Sequence, residues 1–91
     1  MKLSRADAEQ RIKALNGWTI EGDAIRKQYT FKDFLEAIAF VNRLAPLAEA
    51  ADHHPDITFG WGYAVIETTT HDRGGVTDVD VALAEKIDAI H

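Results

Sequence analysis

Two glycine-containing turn signals do most to limit the folds open to this chain. Glu21-Gly22-Asp23 separates two short runs in which apolar side chains alternate, 18–20 and 24–31. Gly60-Trp61-Gly62 lies between two similar runs within 57–70. Alternation on both sides of a glycine turn is typical of a β-hairpin. The sequence therefore predicts two hairpins, one in each half of the chain.

Three further segments carry the start signals of helices. Ser4, Asp33 and Thr77 each precede an apolar repeat of helical spacing and can cap a helix N-terminus. Asp33 with Glu36 resembles a capping box. The spacing predicts these buried stripes: Ala8, Ile12 and Leu15 in the first helix; Phe34, Ile38, Val41, Ala45 and Ala48, widened by Phe40, Leu44 and Leu47, in the second; Val79, Leu83, Ile87 and Ile90 in the third.

The second helix is predicted to end near Asp52, because Pro55 disfavours helical backbone in the residue before it. Pro46 lies inside the same helix. A proline there removes one backbone hydrogen bond, at a local cost of about 3 kcal/mol unless packing compensates. We therefore expect a kink near this residue.

The order helix, two strands, helix, two strands, helix favours an α+β fold with one antiparallel sheet. The 91 residues are expected to form a single domain, 1–91. Without cysteine the chain has no disulfide framework and no thiolate nucleophile.

Composition also limits the partners of the protein. No apolar run approaches the roughly 20 residues of a membrane span, and the N-terminus lacks the apolar core of a signal peptide. We therefore expect a cytoplasmic protein that does not bind membranes. The net charge is −5 and no basic cluster is present, which argues against direct nucleic-acid binding.

Three of the four histidines fall at the ends of predicted elements. His53 and His54 follow the second helix, and His71 follows the last strand. In a two-layer fold these ends can meet at one edge. Histidine gains and loses a proton near neutral pH, so the three side chains predict a site for proton transfer. A helix C-terminus favours a cation by about 0.3–1 kcal/mol, which would stabilise an imidazolium there.

Carboxylates near the histidines could orient the imidazole rings. Glu49, Asp52, Asp72 and Asp80 could each accept a hydrogen bond from a ring nitrogen and so select its tautomer. Asp80 lies in the first turn of the third helix, where an acidic side chain more usually stabilises the positive end of the helix dipole. Glu49 could equally be a solvated helix residue.

Two other interpretations of the histidines are open. Each histidine taken alone is more often a surface or capping residue than a functional one. Histidine together with carboxylate can also bind zinc. Adjacent His53 and His54 point in different directions, however, whereas helical zinc motifs usually space two histidines by about four residues. No metal site is therefore expected.

The pattern Glu49-x-x-x-His53-His54-Pro55, with Thr70-His71 and Asp80 downstream, resembles the pterin-4a-carbinolamine dehydratases. Three pieces are similar to the N-terminal half of that family: Leu15-Asn16-Gly17-Trp18, Asp23-Ala24-Ile25, and Lys27-Gln28 leading into Thr30-Phe31-Lys32-Asp33-Phe34. The resemblance therefore extends over nearly the whole chain.

The resemblance implies a two-layer α+β fold in which a four-stranded antiparallel sheet carries three helices on one face. It implies homodimers joined through sheet edges, often paired into homotetramers through helices, and no metal or organic cofactor. One departure is visible, because family members often carry Tyr-Asn where this chain has Trp61-Gly62. That difference concerns the local shape of the second hairpin.

The resemblance also implies a reaction with a pterin substrate. Water is lost from 4a-hydroxytetrahydropterin to give quinonoid dihydropterin, a step that recycles tetrahydrobiopterin. His53 and His71 would exchange protons with the substrate, His54 would orient it, and Glu49 would steady an imidazole. The implied pterin-contacting positions are Asp52, His53, His54, Pro55, Thr69, Thr70, His71 and Asp72.

The leading alternative is a non-enzymatic role of the same fold. The family includes a dimerisation cofactor of a homeodomain transcription factor, and some relatives serve as assembly factors. A protein that uses only the fold would not need all three histidines, so their joint presence favours the enzyme. A small oligomeric module that binds another pterin or a folate-like ring is the third interpretation.

Overall fold

The computed structural model describes all residues from Met1 to His91 and confirms the predicted α+β order. The elements are α1 (Arg5–Ile12), β1 (Thr19–Glu21), β2 (Ala24–Thr30), α2 (Phe34–Ala51), β3 (Asp56–Gly60), β4 (Tyr63–Thr68), a short 3₁₀ helix (His71–Arg73) and α3 (Asp78–Ile90). No helix combines the length and the apolar character needed to cross a membrane.

The four strands form one antiparallel sheet in the order β1-β2-β4-β3. The two predicted hairpins are present, and they join through the central pair β2 and β4. In this register Ile25 lies opposite Thr68 and Tyr29 opposite Ala64. The short strands β1 and β3 are therefore the two edges of the sheet.

The three helices pack on one face of the sheet. Along β2 and β4 alternate side chains point into this layer. Ile25, Tyr29, Ala64, Ile66 and Thr68 are buried, and Lys27, which shares this face, is half-buried. The ring of Tyr29 packs against Phe40 of α2 with centroids 4.7 Å apart. On the opposite face Gln28 and Thr30 are exposed. This alternation is the pattern of an antiparallel sheet with one covered face.

The buried stripe of α2 differs from the predicted one. The buried residues are Ala37, Phe40, Leu44 and Ala48, of which Phe40, Leu44 and Ala48 were predicted. Of the predicted stripe, Phe34 and Ala45 are exposed, while Ile38 and Val41 are half-buried. Apolar residues occur nearly all the way round this helix, so their spacing did not single out one face.

Helix α2 begins after the predicted cap residue, Asp33, but one hydrogen bond of the capping box has a different donor. Asp33 Oδ1 accepts a hydrogen bond from the Glu36 N–H at 2.9 Å. The Glu36 carboxylate reaches back to the N–H of Lys32, also at 2.9 Å, rather than to that of Asp33. The helix continues through Pro46, which lies on its exposed side.

The buried side of α3 is also shifted from the prediction. Its buried residues are Asp80, Val81, Leu83, Ala84 and Ile87. Leu83 and Ile87 are buried as predicted, whereas Val79 is exposed and Ile90 is half-buried. Thr77 and Asp80 form a reciprocal capping box. The box turns the carboxylate of Asp80 into the protein, so Val79 points outward.

A polar network ties the C-terminal half of α3 to the sheet. The Asp88 carboxylate accepts hydrogen bonds from Trp18 Nε1 at 3.1 Å, from Lys27 Nζ at 2.9 Å and from the Tyr29 hydroxyl. Burial raises the pKa of Tyr29, and the hydrogen bond and negative charge of Asp88 raise it further. The phenol is therefore held in its neutral, hydrogen-bond-donating form.

Candidate active site

The end of α2 determines where the paired histidines lie. Asp52 adopts the left-handed conformation, with φ 50°, and is the single non-glycine residue with positive φ. Its N–H donates to Glu49 O at 3.1 Å, and the His53 N–H donates to Ala48 O at 3.1 Å. These two bonds form a Schellman motif, which closes the helix and turns the chain away from its axis.

The turn brings His53 onto a carboxylate of another helix. Nε2 of His53 lies 2.5 Å from Oδ1 of Asp80. The side chain of His53 is 14% exposed and that of Asp80 is completely buried. Sequence reasoning favoured a helix-dipole role for Asp80, and the structure gives this residue both the capping role and a direct contact with His53.

Asp80 is the centre of a wider set of hydrogen bonds. Thr68 Oγ1 donates to Oδ1 at 2.6 Å, and Thr70 Oγ1 donates to Oδ2 at 2.8 Å. The Thr77 N–H donates to Oδ2 at 2.9 Å. With His53, four groups from the C-terminal ends of α2 and β4 and from the start of α3 converge on one carboxylate. Thr68 was not predicted from the sequence, although the alternation of side chains along β4 places it on the inner face of the sheet.

The second histidine of the pair has a different environment. Nε2 of His54 lies 2.5 Å from Oε2 of Glu49, one turn back on α2. Their side chains are 58% and 75% exposed, respectively. An ion pair this open to solvent contributes little to stability. Glu49 therefore contacts His54, while His53 is held by Asp80.

His71 is the first residue of the 3₁₀ helix that follows β4. The loop that carries it is closed by two backbone hydrogen bonds between Thr70 and Gly75, of 3.0 and 3.3 Å. Gly74 has φ 75°, a conformation that glycine adopts readily. The imidazole of His71 is exposed and makes no side-chain hydrogen bond within the protein.

These elements meet at one open cleft of about 340 Å³ at the edge of the molecule. Its lining residues are Asp52, His53, His54, Thr69, Thr70, His71 and Asp72. Of the site residues predicted from the sequence, Glu49 and Pro55 do not line the cleft. Glu49 reaches it through His54, and half-buried Pro55 leads the chain into β3.

A larger hollow of about 440 Å³ lies elsewhere, lined by Thr30, Phe31, Lys32, Glu36, Ala39, Arg43 and His91. It holds one histidine and no buried carboxylate. The histidine cleft is the better candidate site, because it combines several proton-transfer groups with a buried partner that orients one of them. No group of three or more histidine and acidic side chains is arranged to hold a metal ion.

The sequence of this chain is similar to those of one family of known proteins. The sequence profile of the family described as pterin 4 alpha carbinolamine dehydratase matches residues 1–90. The chain belongs to this family. A relative from Roseiflexus sp. (strain RS-1), named for the same dehydratase, is 49% identical over 98% of this chain and 96% of its own length. Another from Sulfurisphaera tokodaii is 39% identical over 98% and 96%.

Solved structures of the family share the fold. A crystal structure described as a transcriptional coactivator/pterin dehydratase from Brucella melitensis superposes with a TM-score of 0.93 at 34% identity, covering 99% of this chain and 98% of the other. A pterin dehydratase-like protein, identified as a RuBisCO assembly factor in the alpha-carboxysome, superposes with a TM-score of 0.69 at 25% identity. That match covers 84% of this chain and 90% of the other.

Proposed function

We propose that this protein removes water from a 4a-hydroxytetrahydropterin to give the quinonoid dihydropterin, as a step of tetrahydrobiopterin recycling. The observation that carries the proposal is the cleft in which His53, His54 and His71 meet, with His53 hydrogen-bonded to a fully buried carboxylate. Membership of the dehydratase family supplies the reaction, and the cleft supplies groups able to perform it.

The reaction needs one acid and one base. The C4a–O bond breaks and the hydroxyl leaves as water, after it takes up a proton. The N5–H bond also breaks, and its electron pair forms the double bond between N5 and C4a. We assign these two proton transfers to His53 and His71, which reach the cleft from different elements. General acid–base catalysis of this kind contributes about 10²–10⁴-fold to a rate.

The remaining cleft residues would bind the pterin. His54 would orient the substrate while Glu49 steadies the imidazole of His54. The cleft has no apolar lining residue, which suits a heterocycle whose edges carry many hydrogen-bond donors and acceptors. We propose pterin contacts for Asp52, Thr69, Thr70 and Asp72, which line the cleft, whereas Pro55 lies outside it.

We also propose that the protein works in the cytoplasm as a homodimer or homotetramer. Leu35 on α2 and Trp61 in the second hairpin are 75% and 73% exposed. The edge strands β1 and β3 leave backbone groups unpaired along their outer sides. A second copy of the chain would cover both kinds of surface.

A dehydratase assay with chemically generated 4a-hydroxytetrahydropterin tests the proposed activity. We expect the protein to accelerate formation of the quinonoid product above the spontaneous rate. The matched control is the double variant His53→Ala/His71→Ala, which should lose this acceleration. A wild-type protein that gives no acceleration, or a double variant as fast as wild type, would overturn the enzymatic proposal.

A non-enzymatic binding role is the second candidate, and one surface favours it. Phe34 and Phe59 stack with ring centroids 6.1 Å apart, and both are partly exposed near Leu35 and Trp61 in the chain. One structural relative is described as a transcriptional coactivator/pterin dehydratase, and another as a pterin dehydratase-like RuBisCO assembly factor. If this role replaced catalysis, the histidine variants would leave binding to the partner protein intact. Phe34→Ser or Trp61→Ser would abolish that binding.

A further inference from the structure

We infer that Asp80 is a positioning residue for both proton-transfer histidines. In this role it holds His53 in the tautomer with hydrogen on Nε2, so that Nδ1 exchanges protons with the substrate. It also anchors the loop that carries His71, through the side chain of Thr70. The inference rests on the proposed dehydratase function for its kinetic consequences, and on the hydrogen bonds of Asp80 for its structural part.

The tautomer of His53 follows from its contact with Asp80, whose carboxylate is surrounded by hydrogen-bond donors. An ionised carboxylate offers about four acceptor sites and no proton. The Thr77 N–H, Thr68 Oγ1, Thr70 Oγ1 and His53 Nε2 supply four partners at 2.5–2.9 Å. Because a carboxylate only accepts hydrogen bonds, Nε2 of His53 must carry the hydrogen and donate it to Oδ1. The neutral ring then carries its free electron pair on Nδ1.

The same arrangement supports either direction of proton transfer at His53. When Nδ1 takes a proton, the ring becomes an imidazolium whose charge faces a completely buried carboxylate. When Nδ1 gives the proton up, the hydrogen on Nε2 stays in place. Asp80 therefore orients the ring and stabilises its charged form through the contact with Nε2, while the proton moves at Nδ1.

The link from Asp80 to His71 runs through Thr70. The Thr70 hydroxyl donates to Oδ2 of Asp80, and the Thr77 hydroxyl can then donate to Thr70 Oγ1 at 2.9 Å. The backbone of Thr70 closes the loop with Gly75. His71 is the next residue, so its position is determined relative to the same carboxylate that holds His53.

Nitrogen NMR of ¹⁵N-histidine-labelled protein tests the tautomer directly, without substrate. In the wild type at a pH where His53 is neutral, we expect a protonated Nε2 and an unprotonated Nδ1. Asp80→Asn should mix the two tautomers, because an amide can both donate and accept. Asp78→Asn is the matched control: it removes an exposed charge from the same helical turn, where Asp78 pairs with Arg11. It should leave the tautomer unchanged.

The kinetic counterpart separates positioning from a purely structural role. Asp80→Asn should lower kcat by about 10²-fold or more, with a smaller change in KM, and should alter the rate–pH profile. Asp78→Asn should change none of these quantities. Thr70→Val should lower kcat while the tautomer of His53 stays as in the wild type. The isosteric Thr68→Val also removes one donor to Asp80 and should lower kcat less.

The outcomes distinguish this inference from the proposed function. A wild-type His53 with hydrogen on Nδ1 overturns the inference even if the enzyme is active, and this measurement needs no variant to fold. An Asp80→Asn protein that folds and keeps the wild-type tautomer also overturns it. Absence of dehydratase activity in the wild type overturns the proposed function, while the predicted tautomer would still support the structural part of the inference.

Discussion

Nε2 of His53 lies 2.5 Å from Oδ1 of Asp80, although the two residues are 27 positions apart in the chain. One follows the Schellman turn of α2, and the other belongs to the capping box of α3. The contact therefore joins the ends of two helices at the candidate site. A residue that caps a helix also orients the histidine proposed to move a proton.

Replacement of either proton-transfer histidine should slow the reaction. His53→Ala and His71→Ala are each expected to reduce the rate by about 10–10⁴-fold, with some rescue by the remaining histidine. His54→Ala should raise KM more than it lowers kcat, since we assign His54 to binding. Steady-state kinetics of the three variants measure these effects, and equal losses in kcat for all three would contradict the division of roles.

Removal of metal ions should leave the dehydratase rate unchanged. The proton transfers are assigned to imidazoles, and no cluster of histidine and acidic side chains has the arrangement of a metal site. The rate is compared before and after treatment with a chelator, with zinc added back as the control. A rate that falls with chelator and returns with zinc would require a different mechanism.

The left-handed conformation of Asp52 predicts an unusual order of stabilities. Alanine in this conformation costs about 1–2 kcal/mol relative to glycine. Asp52→Ala should therefore have a free energy of unfolding about 1–2 kcal/mol lower than Asp52→Gly, and Asp52→Gly should match or exceed the wild type. Urea denaturation gives the values. At exposed Asp56 in β3 the same pair of substitutions should show the opposite order, with glycine the less stable.

The raised pKa of Tyr29 predicts a loss of stability in alkaline solution. A tyrosine in the unfolded chain ionises at its usual pKa of about 10. The buried Tyr29 hydroxyl beside Asp88 keeps its proton above that pH. Unfolding therefore releases a proton above that pH, and the free energy of unfolding should fall by about 1.4 kcal/mol per pH unit from this group. The contribution is fully present below pH ~10.

Tyr29→Phe isolates this effect. The phenylalanine ring can keep its packing against Phe40, and no hydroxyl remains to ionise. The free energy of unfolding is measured by denaturation from about pH 8 to about pH 11, a range that spans the usual tyrosine pKa. It should depend less steeply on pH in the variant than in the wild type. Parallel curves for the two proteins would mean that other groups govern alkaline unfolding.

Light scattering over a wide concentration range should give the mass of a dimer or a tetramer. Leu35→Glu places a charge on a side chain that is 75% exposed on α2, and it should weaken the assembly if α2 is the interface. Val79→Glu on α3, at 44% exposure, is the control and should leave the mass unchanged. A wild-type protein that is monomeric at every concentration contradicts the prediction.

Local signals in the sequence determined the elements of this protein. Alternation beside Gly22 and Gly62 predicted the hairpins, and the caps Ser4, Asp33 and Thr77 mark the starts of the three helices as the structure has them. These signals act within a few residues, because a turn or a cap is a local balance of hydrogen bonds and backbone conformation. The order of elements was therefore readable from the chain alone.

The tertiary structure decided which faces are buried and what Asp80 does. The apolar residues of α2 surround the helix, so only its packing on the sheet and α3 selected Phe40 and Leu44 for the core. The function of Asp80 depends on His53, Thr68 and Thr70, which approach it only when α2, β4 and α3 are assembled. Spacing along one helix carries no information about such partners, because their distances are determined by how separate elements pack.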